Sequence, residues 1–261
     1  MNQISIGIDI GSTATKAILL INGTVAEHEI IPSGWDPKQA GKEVFDSVLK
    51  KGQLEAEQVQ IVVATGYGRI TLPFADQRVT EVTCHGRGAH HMAQGTQLVV
   101  DIGGQDSKVI ALDGCGRVTD FIMNDKCAAG TGRFLQVMAG VLDLSLDELG
   151  KLALESSPAT ISSMCTVFAE SEVIGLLAQG ASKGAIAAGV IDSIAKRIPT
   201  LVSRMPTTQS ITFTGGLANN PAICHRLEQS LKLPLCVPEL PQHAGAIGAA
   251  LIGNDKLTKN K

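Results

Sequence analysis

Aromatic side chains are scarce in this chain, since Phe, Tyr and Trp together make up 3% of its 261 residues. There is one Trp and one Tyr, no long basic run is present, and the formal net charge is −3. Nucleic-acid-binding surfaces need aromatic platforms for bases or basic patches for phosphates, so this composition argues against a nucleic acid partner. Apolar residues still make up 44% of the chain, which predicts cores packed from aliphatic side chains.

Long apolar runs are absent as well. No stretch approaches the roughly 18 uninterrupted apolar residues of a membrane-spanning helix, and no charged and apolar leader precedes the first strand pattern. We therefore expect no membrane association and a cytoplasmic location. Disulfides are disfavoured in that compartment, so the cysteines are expected to be core thiols, metal ligands or reactive groups. The six cysteines are Cys84, Cys115, Cys127, Cys165, Cys224 and Cys236.

The most informative feature that is present is a loop sequence that occurs twice. Residues 9–16 read Asp-Ile-Gly-Ser-Thr-Ala-Thr-Lys, and residues 101–108 read Asp-Ile-Gly-Gly-Gln-Asp-Ser-Lys. Apolar residues flank each copy on both sides, which predicts a strand, a tight turn and a second strand. A single Asp-Ile-Gly can be a plain hairpin turn, but two copies 92 residues apart indicate two homologous halves.

Each copy has the composition of a phosphate-binding turn. Backbone N–H groups of a glycine-rich turn converge on phosphate oxygens, and hydroxyl and ammonium groups can add to them. Asp9 and Asp101 end their predicted strands and are carboxylates of the kind that Mg²⁺ prefers. The predicted phosphate-binding residues are Gly11, Ser12, Thr13 and Lys16 in the first copy and Gly103, Gly104 and Lys108 in the second.

Apolar periodicity predicts a mixed α/β chain with short connections. Strands are expected at residues 4–8, 17–21, 25–31, 60–65, 98–101, 108–112, 117–123 and 210–214. Helices are expected at residues 37–50, 130–142, 145–155, 167–180, 184–204, 221–231 and 243–252. Residues 83–95, between the two copies, are expected to form a structured hinge, and residues 254–261 a frayed tail.

A third motif, Phe213-Thr214-Gly215-Gly216-Leu217-Ala218-Asn219, joins a predicted strand to a predicted helix. A strand that feeds a Gly-Gly turn leaves room for a flat ligand against the backbone. We predict that Gly215, Gly216 and Asn219 contact a nucleoside. Asn219 is alternatively the N-cap of the helix that has Pro221 at its first position, and the two roles are compatible.

These three motifs together resemble those of the ATPase superfamily of acetate and sugar kinases, heat-shock 70 chaperones and actin. Residues 9–16 are similar to its first phosphate motif, residues 101–108 to its second, and residues 214–219 to its adenosine motif. Residues 244–250 are similar to its small-residue helix near the C-terminus. The resemblance covers nearly the whole chain.

This resemblance implies an α/β fold of two ribonuclease-H-like, actin-like ATPase domains with a nucleotide cleft between them. We assign residues 1–90 and 243–261 to the first domain and residues 91–242 to the second. Asp9 and Asp101 would hold Mg²⁺ beside ATP or ADP. Either Gln105 or Asp106 would orient the water that hydrolyses ATP.

Cys127 and Cys165 each stand just before a predicted helical run. A helix N-terminus favours negative charge, so it stabilises a thiolate and the group that the thiolate binds. Two cysteines are too few for a four-thiolate iron–sulfur cluster, but a symmetric dimer supplies four. A lone cysteine is also compatible with a small buried hydrophobic residue, so the spacing alone leaves both interpretations open.

The sequence around these cysteines is more specific. Residues 124–134 read Asn-Asp-Lys-Cys-Ala-Ala-Gly-Thr-Gly-Arg-Phe, and residues 165–172 read Cys-Thr-Val-Phe-Ala-Glu-Ser-Glu. Both segments resemble the 2-hydroxyacyl-CoA dehydratase activators (component A), which are BadF/BadG/BcrA/BcrD-type ATPases related to the ATPase subunits of benzoyl-CoA reductase. The resemblance implies one [4Fe–4S] cluster, ligated by Cys127 and Cys165 of both subunits of a homodimer.

The same resemblance implies a function. The chain would be an ATP-dependent one-electron donor in which ATP hydrolysis is coupled to electron transfer. A ferredoxin or flavodoxin would reduce it, and its partner would be a 2-hydroxyacyl-CoA dehydratase-like enzyme or a related reductase. Two alternatives remain open, namely a small-molecule kinase for a sugar or acyl substrate and a non-redox regulatory ATPase.

A second cluster of possible metal ligands comprises Cys84, His85, His90 and His91. A zinc site is the weaker interpretation of this cluster. Cys84 and His85 are adjacent and cannot easily face one ion, and the usual spacing of paired zinc cysteines is missing. We interpret this segment as a hinge helix with exposed histidines. Cys115, Cys224 and Cys236 are interpreted as structural.

Overall fold

The computed structural model describes residues 2–125, 128–163 and 165–259 of the chain. The chain divides into two compact units. Unit 1 comprises Met1–Val99, Ile110–Asp120 and Pro238–Lys261, and unit 2 comprises Val100–Val109 and Phe121–Val237.

Strands and helices alternate as an α/β chain. The strands are β1 (Ile4–Ile10), β2 (Ala14–Ile21), β3 (Thr24–Pro32), β4 (Ile61–Thr65), β5 (Gln77–Arg78), β6 (Leu98–Ile102), β7 (Ser107–Leu112), β8 (Val118–Asn124), β9 (Ile211–Thr214) and β10 (Leu235–Cys236). The helices are α1 (Pro37–Gly52), α2 (Glu81–Met92), α3 (Gly132–Val141), α4 (Leu146–Leu154), α5 (Thr166–Ala178), α6 (Lys183–Ala195), α7 (Ile198–Val202), α8 (Pro221–Leu231) and α9 (Ala244–Lys259).

The two loop copies occupy corresponding places in two five-stranded sheets. The first sheet has the order β3-β2-β1-β4-β5, and the second has the order β10-β9-β6-β7-β8. Strands β1 and β2 are antiparallel, and β4 runs parallel to β1 on its other side. The strands that flank each loop are therefore sheet neighbours, β1 with β2 and β6 with β7, and the predicted strand–turn–strand repeat is confirmed.

Aliphatic packing accounts for the core of the first sheet, as the low aromatic content predicts. All seven residues of β1 are buried, and Ile6, Ile8 and Ile10 are completely so. They pack with Val44 and Val48 of α1 in one hydrophobic cluster. A strand that is covered on both faces reads as a continuous apolar run, which is the pattern of β1.

The C-terminal helix α9 packs closely against α2 because both helices carry glycine at their crossing. A Cβ atom at Gly88 would lie 1.9 Å from the carbonyl oxygen of Ala244, and a Cβ at Gly248 would lie 1.8 Å from that of Cys84. No side chain fits at either position, so the small residues set the distance between the two helices. The predicted small-residue helix is thus α9, and it packs against α2.

Two sequence-based expectations about helices are wrong. The expected helix over 184–204 is two helices, α6 and α7, because Pro199 cannot donate the hydrogen bond that would continue α6. The expected frayed tail belongs to α9 as far as Lys259, where Asp255 pairs with Arg87 of α2 at 3.2 Å. The segment 83–95, interpreted as a hinge helix, is helical over most of its length as part of α2, and its role as a hinge stays a prediction.

No helix in the described ranges is long and apolar enough to cross a membrane.

Candidate functional site

Both predicted phosphate loops are tight turns with the same backbone hydrogen bond. In the first, the N–H of Gly11 donates to the carbonyl of Ala14 at 3.1 Å, and in the second the N–H of Gly103 donates to that of Asp106 at 2.9 Å. Ser12 and Gln105 lie at the tips of the turns and are exposed. The tip of each loop is therefore accessible, whereas Lys108 at the end of the second loop is buried.

Ser33 holds the first loop in place, a role that the sequence did not suggest. Its hydroxyl donates to the carbonyl of Gly11 at 2.6 Å, and its N–H donates to the carbonyl of Thr13 at 3.0 Å. Its hydroxyl oxygen also lies 2.9 Å from that of Thr15. Because Ser33 follows β3, its position beside the loop depends on the pairing of β2 with β3 and is not visible in the sequence around residues 9–16.

Asp9 is a buried carboxylate with two cationic or titratable neighbours. It is 3% exposed, and its Oδ2 lies 3.5 Å from Nζ of Lys16 and 3.9 Å from Nε2 of His85. Antiparallel pairing explains the first contact, since Asp9 and Lys16 are directly opposite each other on β1 and β2. Glycine lets the surrounding backbone approach, because a Cβ at Gly245 would lie 2.9 Å from Oδ2 of Asp9.

Asp101 is the counterpart of Asp9 and is held more tightly. It is 1% exposed, its Oδ1 accepts a hydrogen bond from Nζ of Lys108 at 3.2 Å, and its Oδ2 accepts one from Oγ1 of Thr214 at 2.8 Å. Lys108 also pairs with Asp106. Both copies of the motif contain the Asp–Lys pair. Of the two strand-end carboxylates, only that of Asp101 accepts a short hydrogen bond on each oxygen from the residues that the structure describes.

The internal repeat extends to a third element that the sequence analysis did not align. Thr65 ends β4 and Thr214 ends β9, and each is followed by a glycine, Gly66 with φ +84° and Gly215 with φ +90°. A Cβ at Gly66 would lie 2.5 Å from the carbonyl of Ile10, and a Cβ at Gly215 would lie 2.3 Å from that of Ile102. In the sequence, this correspondence is indicated by the Thr-Gly pair at the end of each short buried strand.

The predicted adenosine motif forms a short 3₁₀ turn over Gly216–Asn219. Asn219 is exposed at the end of this turn. The N-cap of α8 is Asn220, which accepts hydrogen bonds from the N–H groups of Ala222 and Ile223 at 3.0 and 3.3 Å, so the prediction that Asn219 caps this helix is wrong. Asn219 is thus not required to cap the helix.

Cys165 stands at the N-terminus of α5, as predicted. It is the N-cap residue of this helix, it is an exposed free cysteine, and its side chain makes no capping hydrogen bond. The thiol is therefore accessible at the positive end of a helix dipole. Cys127, the other predicted ligand, lies outside the described residues.

Glu172 holds the segment that precedes Cys165. Its carboxylate accepts hydrogen bonds from the N–H of Ser162 at 2.8 Å, the hydroxyl of Ser162 at 2.9 Å and the N–H of Ser163 at 2.8 Å. These bonds, first of all that from the backbone of Ser162, lower the pKa of Glu172 to about 2. Glu172 therefore fixes the segment that leads to the cysteine.

The surface of α5 beside Cys165 carries apolar side chains. Val167 and Phe168 are each 68% exposed, and Ile174 is 53% exposed. Val167 and Ile174 are seven residues apart and so lie on one face of the helix. Large apolar side chains that are exposed together mark a surface that binds another molecule.

The segment from Cys84 to His91 was predicted to be a hinge helix with exposed histidines, and the structure differs from this prediction at His85. His85 is 7% exposed and contacts Asp9, so it is not one of a row of exposed histidines. Burial raises the pKa of the Cys84 thiol to about 12, which keeps it protonated and unreactive. Within the residues that the structure describes, no group of three or more His, Cys, Asp and Glu side chains is arranged to hold a metal ion.

Known proteins resemble the chain over its whole length. The family model described as "BadF/BadG/BcrA/BcrD ATPase family" matches residues 6–253. The (R)-2-hydroxyglutaryl-CoA dehydratase activating ATPase of Acidaminococcus fermentans is 40% identical, with 99% of this chain and 100% of that protein covered.

Solved structures agree with this relationship. The activator of the 2-hydroxyisocaproyl-CoA dehydratase from Clostridium difficile, solved with bound ADPNP, has a TM-score of 0.94 and 42% identity over 99% of this chain and 97% of that one. A ROK family glucokinase from Streptomyces griseus has a TM-score of 0.59 at 14% identity over 97% of this chain and 99% of that one, which is a likeness of fold alone. The fold is that of the actin-like ATPases, as predicted. The chain belongs to the BadF/BadG/BcrA/BcrD ATPase family and is an ATPase.

Proposed function

We propose that this protein is an ATP-dependent one-electron donor that activates a 2-hydroxyacyl-CoA dehydratase-like enzyme. The observation that carries the proposal is the exposed thiol of Cys165 at the N-terminus of α5, in a chain that also has two Asp–Lys phosphate loops. A kinase needs the loops but has no use for an accessible thiol at a helix end. Relatives named as dehydratase activators support a dehydratase partner, and a related reductase is the alternative partner.

In this proposal the two loops bind the phosphates of ATP. The turn glycines Gly11, Gly103 and Gly104 provide N–H groups, and Ser12 and Thr13 add hydroxyls. Lys16 and Lys108 each face a carboxylate in the structure, so they neutralise Asp9 and Asp101 and bring positive charge to the base of each loop. The nucleoside binds beside Gly215, Gly216 and the exposed Asn219.

Mg²⁺ is assigned to Asp9 and Asp101, which differ in how well they can bind it. Both oxygens of Asp101 already accept hydrogen bonds, whereas the two nearest partners of Asp9 are 3.5 and 3.9 Å away. Mg²⁺ keeps several of its waters and needs carboxylate oxygens with free lone pairs. We therefore propose Asp9 as the main Mg²⁺ carboxylate and Asp101 as its support.

The hydrolytic water is assigned to Gln105 and Asp106. Gln105 is exposed at the tip of the second loop, where its amide can orient a water against the terminal phosphate. Asp106 pairs with Lys108, so its carboxylate is already engaged by a cation. Gln105 is thus the better candidate for the residue that orients the water.

The donor set fits an iron–sulfur cluster only if two copies of the chain contribute. Cys165 provides an accessible thiolate ligand, and Cys127 is proposed as the second by its sequence context. Cys127 and Cys165 of two chains would hold the [4Fe–4S] cluster, which would supply one-electron chemistry between a ferredoxin or flavodoxin and the partner enzyme. The exposed residues Val167, Phe168 and Ile174 lie on the cysteine-bearing helix and support a homodimer that buries this face.

Iron analysis tests the proposal. Protein purified without oxygen should be brown and contain about four irons per dimer. Cys127→Ser and Cys165→Ser should each remove the colour and most of the iron, whereas Cys115→Ser, a change at an exposed cysteine in a turn, should retain both. Wild-type protein that binds ATP but contains no iron would refute the electron-donor function.

A further inference from the structure

We propose that Gly132 couples the second nucleotide loop to residues 128–131, which directly follow Cys127 in the sequence. The inference rests on the proposed function and deepens it, since it names the residue through which ATP bound at the loop acts on the segment next to a proposed cluster ligand. It is carried by hydrogen bonds, distances and the absence of a side chain, all within unit 2.

The first observation is that α3 begins on the loop itself. The N–H of Gly132 donates to the carbonyl of Gly103 at 2.9 Å, and the N–H of Arg133 donates to the carbonyl of Gly104 at 2.7 Å. The first N–H groups of a helix have no partner within the helix and are usually satisfied by an N-cap side chain. Thr131 is the N-cap here, but its side chain makes no capping bond, so the loop carbonyls take this role.

The second observation is a short connection from α3 back toward Cys127. The N–H of Thr131 donates to the carbonyl of Ala128 at 3.1 Å, and its hydroxyl donates to the same carbonyl at 2.5 Å. Ala128 is the residue that directly follows Cys127 in the sequence. The path therefore runs by hydrogen bonds from the loop carbonyls to Gly132 and Arg133. It continues along the backbone to Thr131 and by hydrogen bonds from Thr131 to Ala128.

The third observation is that residue 132 is in contact with both nucleotide motifs of its unit. A Cβ built on Gly132 would lie 3.2 Å from the carbonyl oxygen of Gly103, 3.4 Å from Cα of Gly104 and 3.2 Å from Cδ1 of Leu217. Leu217 belongs to the predicted adenosine motif. Gly132 has an ordinary helical backbone, so the close approach of these neighbours, and not a left-handed conformation, accounts for the glycine.

The first loop provides a natural comparison, because it lacks this arrangement. The carbonyl of Gly11, which corresponds to that of Gly103, accepts its hydrogen bond from the hydroxyl of Ser33. Ser33 follows a strand and leads to no predicted cluster ligand. A shift of the first loop is thus passed to a serine side chain, whereas a shift of the second is passed to the backbone of α3.

Amide hydrogen exchange on the anaerobically purified protein tests this coupling with and without ATP. In the wild type, we expect saturating ATP to slow exchange about fivefold in a peptide covering residues 128–135, because the loop carbonyls are then fixed as acceptors. Gly132→Ala should reduce that effect to less than about twofold while the peptide covering residues 9–16 stays protected. Gly140→Ala is the matched control, since a Cβ at this position of the same helix meets nothing within 4 Å.

Each outcome decides the coupling. An ATP effect on residues 128–135 that is equal in Gly132→Ala and Gly140→Ala would overturn it, as would a wild type in which ATP protects residues 9–16 alone. Loss of ATP protection at residues 9–16 in Gly132→Ala would assign this glycine to nucleotide binding itself and would also overturn the coupling. The wild-type measurement does not depend on whether the variant folds.

A second readout separates this inference from the proposed function. In iron-loaded protein, the rate at which a ferrous chelator removes iron should change on adding ATP in the wild type and Gly140→Ala, and should not change in Gly132→Ala. An iron-free wild type would refute the electron-donor function, while the exchange measurement would still decide the coupling.

Discussion

At the scale of single residues, the site is organised by buried charges that neutralise each other. Lys108 and Asp101 have side chains that are 4% and 1% exposed, whereas those of Lys16 and Asp9 are 15% and 5% exposed. Removing one partner of a buried pair leaves the other charge without compensation, which costs far more than the loss of a surface pair. The two copies of the loop therefore differ in how strongly they resist substitution.

Replacing the lysines separately tests this difference. We expect Lys108→Met to lower the free energy of unfolding by about 3 to 5 kcal/mol, because Asp101 and Asp106 both lose their cation. Lys16→Met is the matched comparison and should cost less, about 1 kcal/mol or somewhat more, because Lys16 is partly exposed and Asp9 keeps His85 as a neighbour. Urea denaturation of the nucleotide-free proteins measures both values, and equal losses would contradict the interpretation.

His243 makes the stability of unit 1 depend on pH. Burial, followed by the nearby His28 and Lys16, lowers the pKa of His243 to about 4 from its ordinary 6.5. The unfolded chain then takes up a proton below pH 6.5 that the folded chain does not take up until about pH 4, so stability is complete above this range and falls through it. Between pH 7 and pH 5 this one group should cost about 2 kcal/mol.

His243→Leu should remove most of that pH dependence. Its Nε2 has no hydrogen-bond partner in the described part of the chain, so an apolar side chain loses only the hydrogen bond between the ring and the backbone of Glu29. His225→Leu, at an exposed histidine, is the control and should leave the pH dependence unchanged. Urea denaturation of the three proteins at pH 7 and pH 5 provides the comparison, and a wild-type slope in His243→Leu would show that other groups are responsible.

At the scale of elements, the site depends on what ends and begins each helix. Helix α3 begins on loop carbonyls, α8 begins with Asn220 as its N-cap, and α5 begins with Cys165 after a segment that Glu172 holds. A helix end that is fixed from outside cannot move independently of the element that fixes it. The segments around the predicted cluster ligands are thus attached to defined partners.

Glu172→Gln tests the attachment before Cys165. Gln keeps one acceptor oxygen and replaces the other with an NH₂ donor, so one of the two amides loses its acceptor and the other donates to a neutral oxygen that accepts more weakly, by about 1 kcal/mol. The amides of Ser162 and Ser163 should therefore exchange at least about fivefold faster. Glu170→Gln, two residues away on the same helix, should leave their exchange unchanged. Exchange that is equally slow in both variants would mean that Glu172 does not hold this segment.

At the scale of the whole molecule, the apolar face of α5 predicts self-association. A two-fold interface brings the same surface of both copies together, so one substitution changes the interface twice. Phe168, which follows Val167, is the largest exposed apolar side chain of α5, at 68% exposure. We expect this surface, which lies next to the proposed cluster ligand Cys165, to be buried in the proposed dimer.

Phe168→Glu should therefore weaken the dimer by about a hundredfold or more, because two charges replace two buried aromatic rings. Ile70→Glu is the control, since Ile70 of unit 1 is 74% exposed and is not on α5. Light scattering under anaerobic conditions measures the mass of each variant. A dimeric Phe168→Glu protein, or a monomeric Ile70→Glu protein, would place the interface elsewhere.

Much of the fold and part of the site could be predicted from local sequence patterns. The flanking apolar runs of the Asp-Ile-Gly loops specified the neighbouring strands, and Cys165 stood visibly before a helix. The contributions of Ser33 and His85 could not be predicted in this way, because each reaches its loop from an element distant in sequence. The correspondence of Thr65-Gly66 with Thr214-Gly215 was missed because two residues after a short strand are too little sequence to align.

The sequence by itself determined that the loop is duplicated, that its glycines and lysines recur at the same spacing, and that two cysteines precede helices. Only the tertiary structure decided that the copies are unequal. Thr214 lies 113 residues from Asp101 in the chain, and it is the sheet that brings its hydroxyl within 2.8 Å of that carboxylate. Short-range patterns specify turns and strands, but a buried charge is satisfied by whichever distant side chains the packing brings to it.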